Sequence, residues 1–202
     1  MRIIAGEFRS RVLLPPEDSG ATRPITDRVK QSLFDIVTPL LEGAVVYDCF
    51  AGTGSMGLEC LSRGAARAVF FEADRSAVGR LKKNIAALGV EKRSSVVAGD
   101  LFKYLATAAT PEAKASVIFL DPPYRLLREQ PERLQGLAER LANHLSAEGL
   151  LVFRHDAADR LELPALARVD EREYGGMTLE FLRRLPGGAE AGEGRREDGR
   201  TN

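Results

Sequence analysis

From residue 44 onward, short apolar runs alternate with segments of helical periodicity. The apolar runs predict strands at residues 45–48, 68–72, 94–98, 117–120 and 150–154. Between them, apolar residues recur every three or four positions and predict helices at 55–63, 76–88 and along Leu134, Leu137, Leu141 and Leu145. Repeated strand–helix units imply an α/β fold with a mostly parallel sheet and helices on both faces. Such a sheet binds ligands at the carboxyl ends of its strands.

The two ends of the chain follow other patterns. Residues 1–16 alternate weakly around Gly6 and predict a short β-hairpin, followed by a loop at 17–25. Thr26 or Asp27 can cap the next helix, whose apolar face is marked by Val29, Leu33, Val37 and Leu40. Segments 168–174 and 178–184 predict two strands joined across Gly175 and Gly176, and the short connection makes this pair antiparallel.

These patterns divide the chain into three parts. Residues 1–25 form an N-terminal extension, residues 26–185 form the main domain, and residues 186–202 are rich in Gly, Glu and Arg and predict a disordered tail. A length of 202 residues and an apolar fraction of 44% fit one domain with a sizeable core.

Composition limits the possible partners. Lys+Arg and Asp+Glu both number 29, so overall charge does not indicate a polyanion partner, although a local basic patch is possible. No apolar run approaches 18 residues and the N-terminus lacks the apolar core of a signal peptide, so we expect a cytoplasmic protein that does not contact a membrane. The composition leaves the oligomeric state open, with a monomer as the expectation. Cys49 and Cys60 are expected to be free, buried thiols, and their spacing fits no metal site.

The sequence Asp121-Pro122-Pro123-Tyr124 directly follows the apolar run at 117–120. The Asp121 carboxylate can accept a hydrogen bond from an exocyclic amino group, and the Pro122 carbonyl can accept a second. Both prolines have a fixed φ and no N–H, so the turn is rigid, and the Tyr124 ring can stack on a base. These residue types suit methylation of a base amino group, although X-Pro-Pro is also common in ordinary loops.

A glycine-rich loop, Gly52-Thr53-Gly54-Ser55-Met56-Gly57, follows the first strand and opens a helix. Together with Glu72 at the end of the second strand it has the form of a dinucleotide fingerprint, so an NAD- or FAD-dependent oxidoreductase is one interpretation. Asp48 at the mouth of the loop would repel a pyrophosphate. A cationic sulfonium and an ammonium group would be favoured there, which indicates S-adenosylmethionine.

Four acids fall at predicted strand ends on one edge of the sheet: Asp48, Glu72, Asp100 and Asp121. In a S-adenosylmethionine site, Asp48 can bind the ammonium group directly or through water, and Glu72 can accept both ribose hydroxyls. Asp100 can accept from the adenine amino group, with Leu101 or Phe102 against the ring. Structural roles remain open, because the glycines can form a simple tight turn and Asp48 and Asp100 can cap helices.

The chain resembles the bacterial 16S rRNA guanine-N2 methyltransferases over residues 1–184. The resemblance rests on the opening Met1-Arg2-Ile3-Ile4-Ala5-Gly6 with Arg9 and Arg11, on Thr22-Arg23-Pro24 with Asp27-Arg28-Val29-Lys30, on Asp48-Cys49-Phe50-Ala51-Gly52-Thr53-Gly54, on Leu61-Ser62-Arg63-Gly64-Ala65, and on Asp121-Pro122-Pro123-Tyr124. The two N-terminal blocks are the more specific ones. Gly176 and Met177 depart from the family, which usually carries a polar residue in that turn.

The resemblance implies a class I S-adenosylmethionine-dependent methyltransferase fold, Rossmann-like, with a mostly parallel sheet and an antiparallel C-terminal hairpin. It implies catalysis by Asp121, Pro122, Pro123 and Tyr124, and cofactor binding by Asp48, Phe50, Ala51, Gly52, Thr53, Gly54, Gly57, Glu72, Asp100 and Leu101. The implied partner is 16S rRNA, in a protein-bound form such as the 30S subunit. No metal is implied.

Basic residues are concentrated in the first 30 positions. We expect rRNA phosphate contacts from Arg2, Arg9, Arg11, Arg23, Arg28 and Lys30, although nearby acids dilute them and a solvated surface is the alternative. A DNA adenine methyltransferase could use the same Asp-Pro-Pro-Tyr chemistry, but the chain has little room for a target-recognition segment. A protein glutamine methyltransferase usually has Asn in place of Asp121. A nonenzymatic RNA-binding module would not need four acids at strand ends.

Overall fold

The computed structural model describes residues 1–17, 25–107 and 113–186. Within these residues, seven strands form one sheet: β1 (Val45–Cys49), β2 (Arg67–Glu72), β3 (Ser94–Ala98), β4 (Ala115–Leu120), β5 (Leu145–Asp156), β6 (Leu166–Tyr174) and β7 (Met177–Arg184). The helices are α1 (Asp27–Val37), α2 (Ser55–Ser62), α3 (Arg75–Leu88), α4 (Leu101–Thr107), α5 (Tyr124–Glu129) and α6 (Pro131–Ala142). Short 3₁₀ helices occur at Thr38–Leu40 and Glu91–Arg93.

The sheet has the strand order β3-β2-β1-β4-β5-β7-β6. Strands β1 to β5 are parallel to one another, whereas β7 pairs antiparallel with both β5 and β6. The predicted α/β sheet with an antiparallel C-terminal pair is therefore confirmed. Met177, the first residue of β7, pairs with Asp156 at the carboxyl end of β5 and with Tyr174 at the end of β6. The turn at Gly175 and Gly176 therefore lies beside the carboxyl end of β5.

Apolar side chains fill both faces of the sheet. One cluster joins α1, α2 and α3 to the sheet through residues such as Phe34, Leu58 and Leu81. The other joins α4 and α6 to the opposite face through residues such as Leu105 and Leu134. Cys49 and Cys60 are buried free thiols within these clusters, as expected. No helix of the described ranges has the length and apolarity needed to cross a bilayer.

The predicted N-terminal β-hairpin is present but short: one antiparallel bridge joins Arg2 to Val12, with hydrogen bonds from Ile3 N to Arg11 O and from Leu13 N to Met1 O, each at 3.0 Å. The reason lies in the backbone donors of Ile4 and Ala5, which bind the Glu59 carboxylate at 2.9 and 3.0 Å instead of a neighbouring strand. The segment also contributes Ile3 and Leu13 to the core, where both are almost fully buried. Residues 1–17 therefore pack against the main domain.

Glu59 is a fully buried acid at the centre of this packing. Besides the two backbone donors, its oxygens accept from the Lys30 ammonium and the Arg63 guanidinium, each at 2.9 Å. Two cations and two N–H groups compensate the burial of the carboxylate, which would otherwise be strongly unfavourable. One side chain therefore ties α1, α2 and the N-terminal segment together.

Helix boundaries follow local capping chemistry. Thr26 accepts a hydrogen bond from Val29 N and begins α1, as predicted, and Gly89 ends α3 with a φ of +68°. The third helix begins one residue earlier than predicted, because Asp74 accepts from Ala77 N at 2.8 Å. Two short helices, α4 and α5, were not assigned from periodicity.

The prediction that Leu145 belongs to a helix is wrong. Helix α6 ends at Ala142, and Leu145 instead begins β5, which is longer than the predicted 150–154. Leu145 is buried in the same apolar cluster as the α6 leucines. An apolar residue at this spacing therefore fits both a longer helix and the start of a strand, and the sequence pattern could not distinguish them. A register shift between Ala115 and Val117 absorbs the extra residues, and a Cβ on Gly149 would lie 2.9 Å from Ala115 O.

The predicted loop at 17–25 and the predicted tail at 186–202 lie mostly outside the described residues. Arg23 is among the residues that are not described. Their predicted roles therefore remain predictions.

Gly57 packs its backbone directly against β2. A Cβ at this position would lie 2.4 Å from Phe70 Cε1, and Phe70 is fully buried. We expect Gly57→Ala to lower the free energy of unfolding by about 1–3 kcal/mol through overpacking, measured by urea denaturation without cofactor.

Gly79→Ala is the matched control, because a Cβ on this α3 residue meets nothing within 4 Å. It should raise the free energy of unfolding by about 0.5–1 kcal/mol. Equal effects of the two substitutions would contradict the packing role of Gly57.

Candidate active site

Strands β1, β2 and β4 carry acidic residues to one edge of the sheet. Asp48 lies in β1, Glu72 ends β2 and Asp121 follows β4. Beside this edge is a cavity of about 400 Å³. Its walls include the predicted residues Phe50, Glu72, Asp100, Leu101 and Pro123, together with Phe71, Ala73, Gly99, Phe102, Arg125, Leu126, Glu129, Gln130 and Arg133.

The glycine loop between β1 and α2 has an unusual backbone. Phe50, Gly52 and Gly54 all have positive φ values, of 62°, 55° and 85°. The left-handed conformation is unfavourable for a residue with a side chain, so Phe50 is strained at the mouth of the cavity. Gly54 stands at the N-cap of α2, where a Cβ would lie 2.4 Å from Leu81 Cδ1.

Two side chains hold this loop from outside. Glu72 accepts from Gly52 N at 2.7 Å and from Asp74 N at 2.8 Å. The buried Asn84 of α3 donates to Thr53 O at 2.9 Å and also binds the backbone of Leu14. The sequence analysis did not predict this role of Asn84. The one feature that could have indicated it is a polar residue on the buried face of α3.

Asp48 is buried, with an exposed fraction of 3%. Its carboxyl accepts from Gly57 N at 2.8 Å, so it caps the first turn of α2. Asp48 is not among the residues that line the cavity. Its predicted contact with an ammonium group, direct or through water, stays a prediction.

Burial raises the pKa of Asp48 to about 7, against the opposing hydrogen bond from Gly57. The negative charges of Asp121 and Glu72 act in the same direction as burial. The edge of the sheet is therefore an environment in which negative charge accumulates, and a cation bound there would relieve it.

Asp100 is fixed at the other side of the cavity. One oxygen accepts from Phe102 N at 2.8 Å and the other from Arg133 at 3.1 Å. The Arg133 guanidinium lies 4.0 Å from the centre of the Phe102 ring, and the Phe50 ring meets Phe102 edge-on at 6.2 Å. Asp100 thus caps α4 and also faces the cavity, while Arg133 is a wall residue that sequence reasoning missed.

The Asp121-Pro122-Pro123-Tyr124 turn joins β4 to α5. Pro123 is the N-cap of α5, its carbonyl accepts from Leu126 N at 2.8 Å, and Tyr124 is the first helical residue. Pro122 is buried, and Tyr124 is partly exposed. Asp121 therefore lies between the end of β4 and the start of α5, one residue before the Pro-Pro turn.

The Asp121 side chain is 26% exposed. Its Oδ2 accepts from Arg154 Nη1 at 2.9 Å, while Oδ1 is covered and has no hydrogen-bond partner among the described residues. Burial raises the pKa of Asp121, and the positive charge of Arg154 opposes this rise. The sequence analysis did not predict a role for Arg154. The one feature that could have indicated it is a charged residue near the end of an otherwise apolar strand, β5.

The predicted RNA-binding residues separate into three groups. Arg2, Arg9 and Arg28 line one cavity of about 310 Å³ together with Ile3, Ile4, Ser10, Asp27 and Gln31. Arg11 is exposed on another side, where it donates to Ala87 O at 2.9 Å. Lys30 is 1% exposed and binds Arg2 O, Ser55 and Glu59, which contradicts its predicted contact with RNA.

The turn between β6 and β7 reaches the same edge as Asp121. Tyr174 at the end of β6 exchanges a hydrogen bond of 2.5 Å with the Ser32 hydroxyl of α1, which fixes the hairpin against the first helix. Gly175 and Gly176 both have positive φ. Among the residues described, no group of three or more His, Cys, Asp or Glu side chains is arranged to hold a metal ion.

The sheet order, the inserted antiparallel β7 and the glycine loop define a class I S-adenosylmethionine-dependent methyltransferase fold, and S-adenosylmethionine is the cofactor. The oxidoreductase interpretation is set aside accordingly. The family described as "Conserved hypothetical protein 95" matches residues 1–183, and the chain belongs to this family.

Three similar proteins carry methyltransferase names. The "Ribosomal RNA small subunit methyltransferase D" of Escherichia coli K12 is 40% identical over 151 residues, 75% of this chain and 69% of the relative. The "Putative rRNA methyltransferase YlbH" of Bacillus subtilis is 35% identical over 81% of this chain and 86% of the relative. The solved structure "Putative methyltransferase yhhF" from E. coli superposes with a TM-score of 0.76 at 34% identity, covering 91% of this chain and 97% of that one.

Asp48 should make stability depend on pH. Because its pKa is raised in the folded state to about 7, the folded protein binds more protons than the unfolded chain between about pH 4 and pH 7, and stability falls as pH rises through this range. Asp48→Asn should flatten this dependence in urea denaturation at a series of pH values.

The exposed Asp35 of α1 is the control, and Asp35→Asn should leave the pH dependence unchanged. An Asp48→Asn protein whose stability declines between pH 4 and pH 7 as steeply as the wild type would contradict the assignment.

Proposed function

We propose that this rRNA methyltransferase transfers a methyl group to the exocyclic N2 amine of a guanine in 16S rRNA. The observation that carries the proposal is the Asp121 carboxylate, which stands at the acidic edge on a rigid turn whose Pro123 lines the cavity. A carboxylate acceptor suits a substrate that presents N–H donors. The name of the E. coli relative supports the small-subunit rRNA as the substrate class.

The residues around the cavity fit the cofactor. Phe50, Leu101 and Phe102 offer apolar surface for the adenine ring. The carboxylates of Glu72 and Asp100 already accept hydrogen bonds, but each retains lone pairs for the ribose hydroxyls and the adenine amino group. When bound, S-adenosylmethionine supplies an electrophilic methyl group on a cationic sulfur.

A guanine N2 amine is a weak nucleophile, because its lone pair is delocalised into the ring. Hydrogen bonds from its two N–H groups to Asp121 and to the Pro122 carbonyl favour a pyramidal nitrogen. The nitrogen gains positive charge as the N–C bond forms and the S–C bond breaks, and it then loses one proton to solvent. A carboxylate beside it therefore stabilises the transition state more than the ground state.

Tyr124 can hold the target base. Its ring stands at the first position of α5, adjacent to the Pro-Pro turn, and stacking of a base on an aromatic ring contributes about 1–3 kcal/mol. The guanine must leave the RNA stack to reach Asp121, as in other enzymes that act on bases.

The cavity lined by Arg2, Arg9 and Arg28 is the proposed phosphate site. Its charge is partly compensated by Asp27, which pairs with Arg2 at 2.8 Å, so the basic patch is local. Deletion of residues 1–20 would not test this site cleanly, because Ile3 and Leu13 belong to the core. Point substitutions are needed.

Methylation of purified 16S rRNA and of 30S particles, followed by mass spectrometry of the nucleosides, tests the proposed function. We expect N2-methylguanosine as the product. Asp121→Ala should lower the single-turnover rate by about 10²–10³-fold, by analogy with removal of one electrostatic stabiliser, without loss of cofactor affinity.

Asp35→Ala, on the exposed face of α1, is the control for removal of a carboxylate. A methylated adenine as the product would refute the proposed base. An Asp121→Ala rate within a few-fold of the wild type would refute the role of Asp121.

The double substitution Arg9→Ala with Arg28→Ala should weaken rRNA binding and leave the saturated rate and cofactor affinity unchanged. Each lost phosphate contact should reduce the slope of log affinity against log salt by about 1. Binding measured by fluorescence anisotropy at several salt concentrations reports this slope.

Arg140 of α6 is exposed on the other face of the sheet, and Arg140→Ala is the matched control. A salt slope that is identical in the double variant and the control would refute the phosphate site.

A further inference from the structure

Arg154 occupies an unusual place for an arginine. It lies in β5, a strand with neighbours on both sides, and only 8% of its surface is exposed. Phe153 pairs with Leu120 of β4, so the next residue of β5 stands beside the first residue after β4, which is Asp121. The strand register itself therefore aligns Arg154 with Asp121.

The contact between the two side chains is close. Arg154 Nη1 lies 2.9 Å from Asp121 Oδ2, and both groups are largely removed from water. An arginine stays charged in proteins, and a short contact of this kind is a charge-assisted hydrogen bond. It restricts rotation of the carboxylate, and Oδ2 keeps a second lone pair for a donor from the substrate.

We propose that Arg154 is a positioning residue for methyl transfer, whose guanidinium holds the Asp121 carboxylate ionised and in a fixed orientation toward the substrate amine. This inference rests on the proposed function, because it assumes that Asp121 receives the amine. Arg154 acts through Asp121 and does not itself contact the reacting atoms.

The charges around Asp121 set the direction of the expected effect. Arg154 faces it from β5, and the Asp48 carboxyl interacts with it from β1. Burial raises the pKa of Asp121, and Arg154 opposes this rise. Loss of the guanidinium therefore leaves burial and the neighbouring acid unopposed, so that Asp121 takes up a proton at higher pH.

Single-turnover methylation of rRNA across pH tests the proposal. Arg154→Met keeps the length of the side chain and removes its charge. Because an opposite charge nearby typically lowers an aspartate pKa by 1–3 units, the acid limb of the rate profile should move up by about 1–3 pH units. On the acid limb the rate should fall by about tenfold for each pH unit by which the limb moves, with cofactor affinity unchanged.

Arg183→Met is the matched control, because Arg183 of β7 pairs with Glu148 near the opposite edge of the sheet. It should leave the acid limb in place. If Arg154→Met gives the same acid limb and rate as this control, Arg154 has only a structural role and the proposal is wrong.

A double-mutant cycle with Asp121→Asn adds a second criterion. Arg154→Met should cost little further rate when Asp121 is already neutral, because the two residues act as one unit. Independent, additive losses would overturn the proposal. If the methionine variant does not fold, the same cycle with Arg154→Gln, which also removes the charge, decides the question. A loss that vanishes beside Asp121→Asn supports the proposal, and no loss or an additive loss overturns it.

Failure of the proposed function gives a different result. Full activity of Asp121→Asn alone would remove both the role of Asp121 and that of Arg154. A product other than N2-methylguanosine would change the assigned base, and the response of the rate to Arg154 would still be measured.

Discussion

The parallel register of β1, β2 and β4 is the constraint on which the site depends. Parallel neighbours end at the same level, so the acids at their carboxyl ends are brought together although they are distant in the sequence. The resulting concentration of negative charge is relieved locally by backbone N–H groups at Asp48 and Glu72, and by an arginine at Asp121. The strand register thus determines both the hydrogen bonding of the sheet and the concentration of negative charge at the carboxyl ends of its strands.

A second theme is the use of buried charge to join segments. Glu59 gathers two cations and two N–H donors from three parts of the chain. Asn84 does the same with neutral groups, since it binds both the glycine loop and the N-terminal segment. The cofactor loop and the segment bearing Arg2 and Arg9 are therefore parts of one connected framework.

The sequence predicted the parallel units well, because alternating short strands and amphipathic helices leave a strong periodic signal. It failed where two structures share one pattern: Leu145 is apolar and buried both as a helix residue and as the start of β5. It also failed for contacts between distant residues. Nothing in the sequence around Lys30 shows that Glu59 lies beside it, and nothing around Arg154 indicates that strand register pairs it with Asp121.

The bare turn at Gly175 and Gly176 has a consequence for substrate contact. Two glycines connect strands that are anchored elsewhere, by Tyr174 to α1 and by Met177 to β5. The turn itself carries no side chain, so any contact that it makes with a substrate can come only from its backbone N–H and C=O groups. Backbone groups are the same in every residue, so such a contact would follow the shape of a substrate and not its charge.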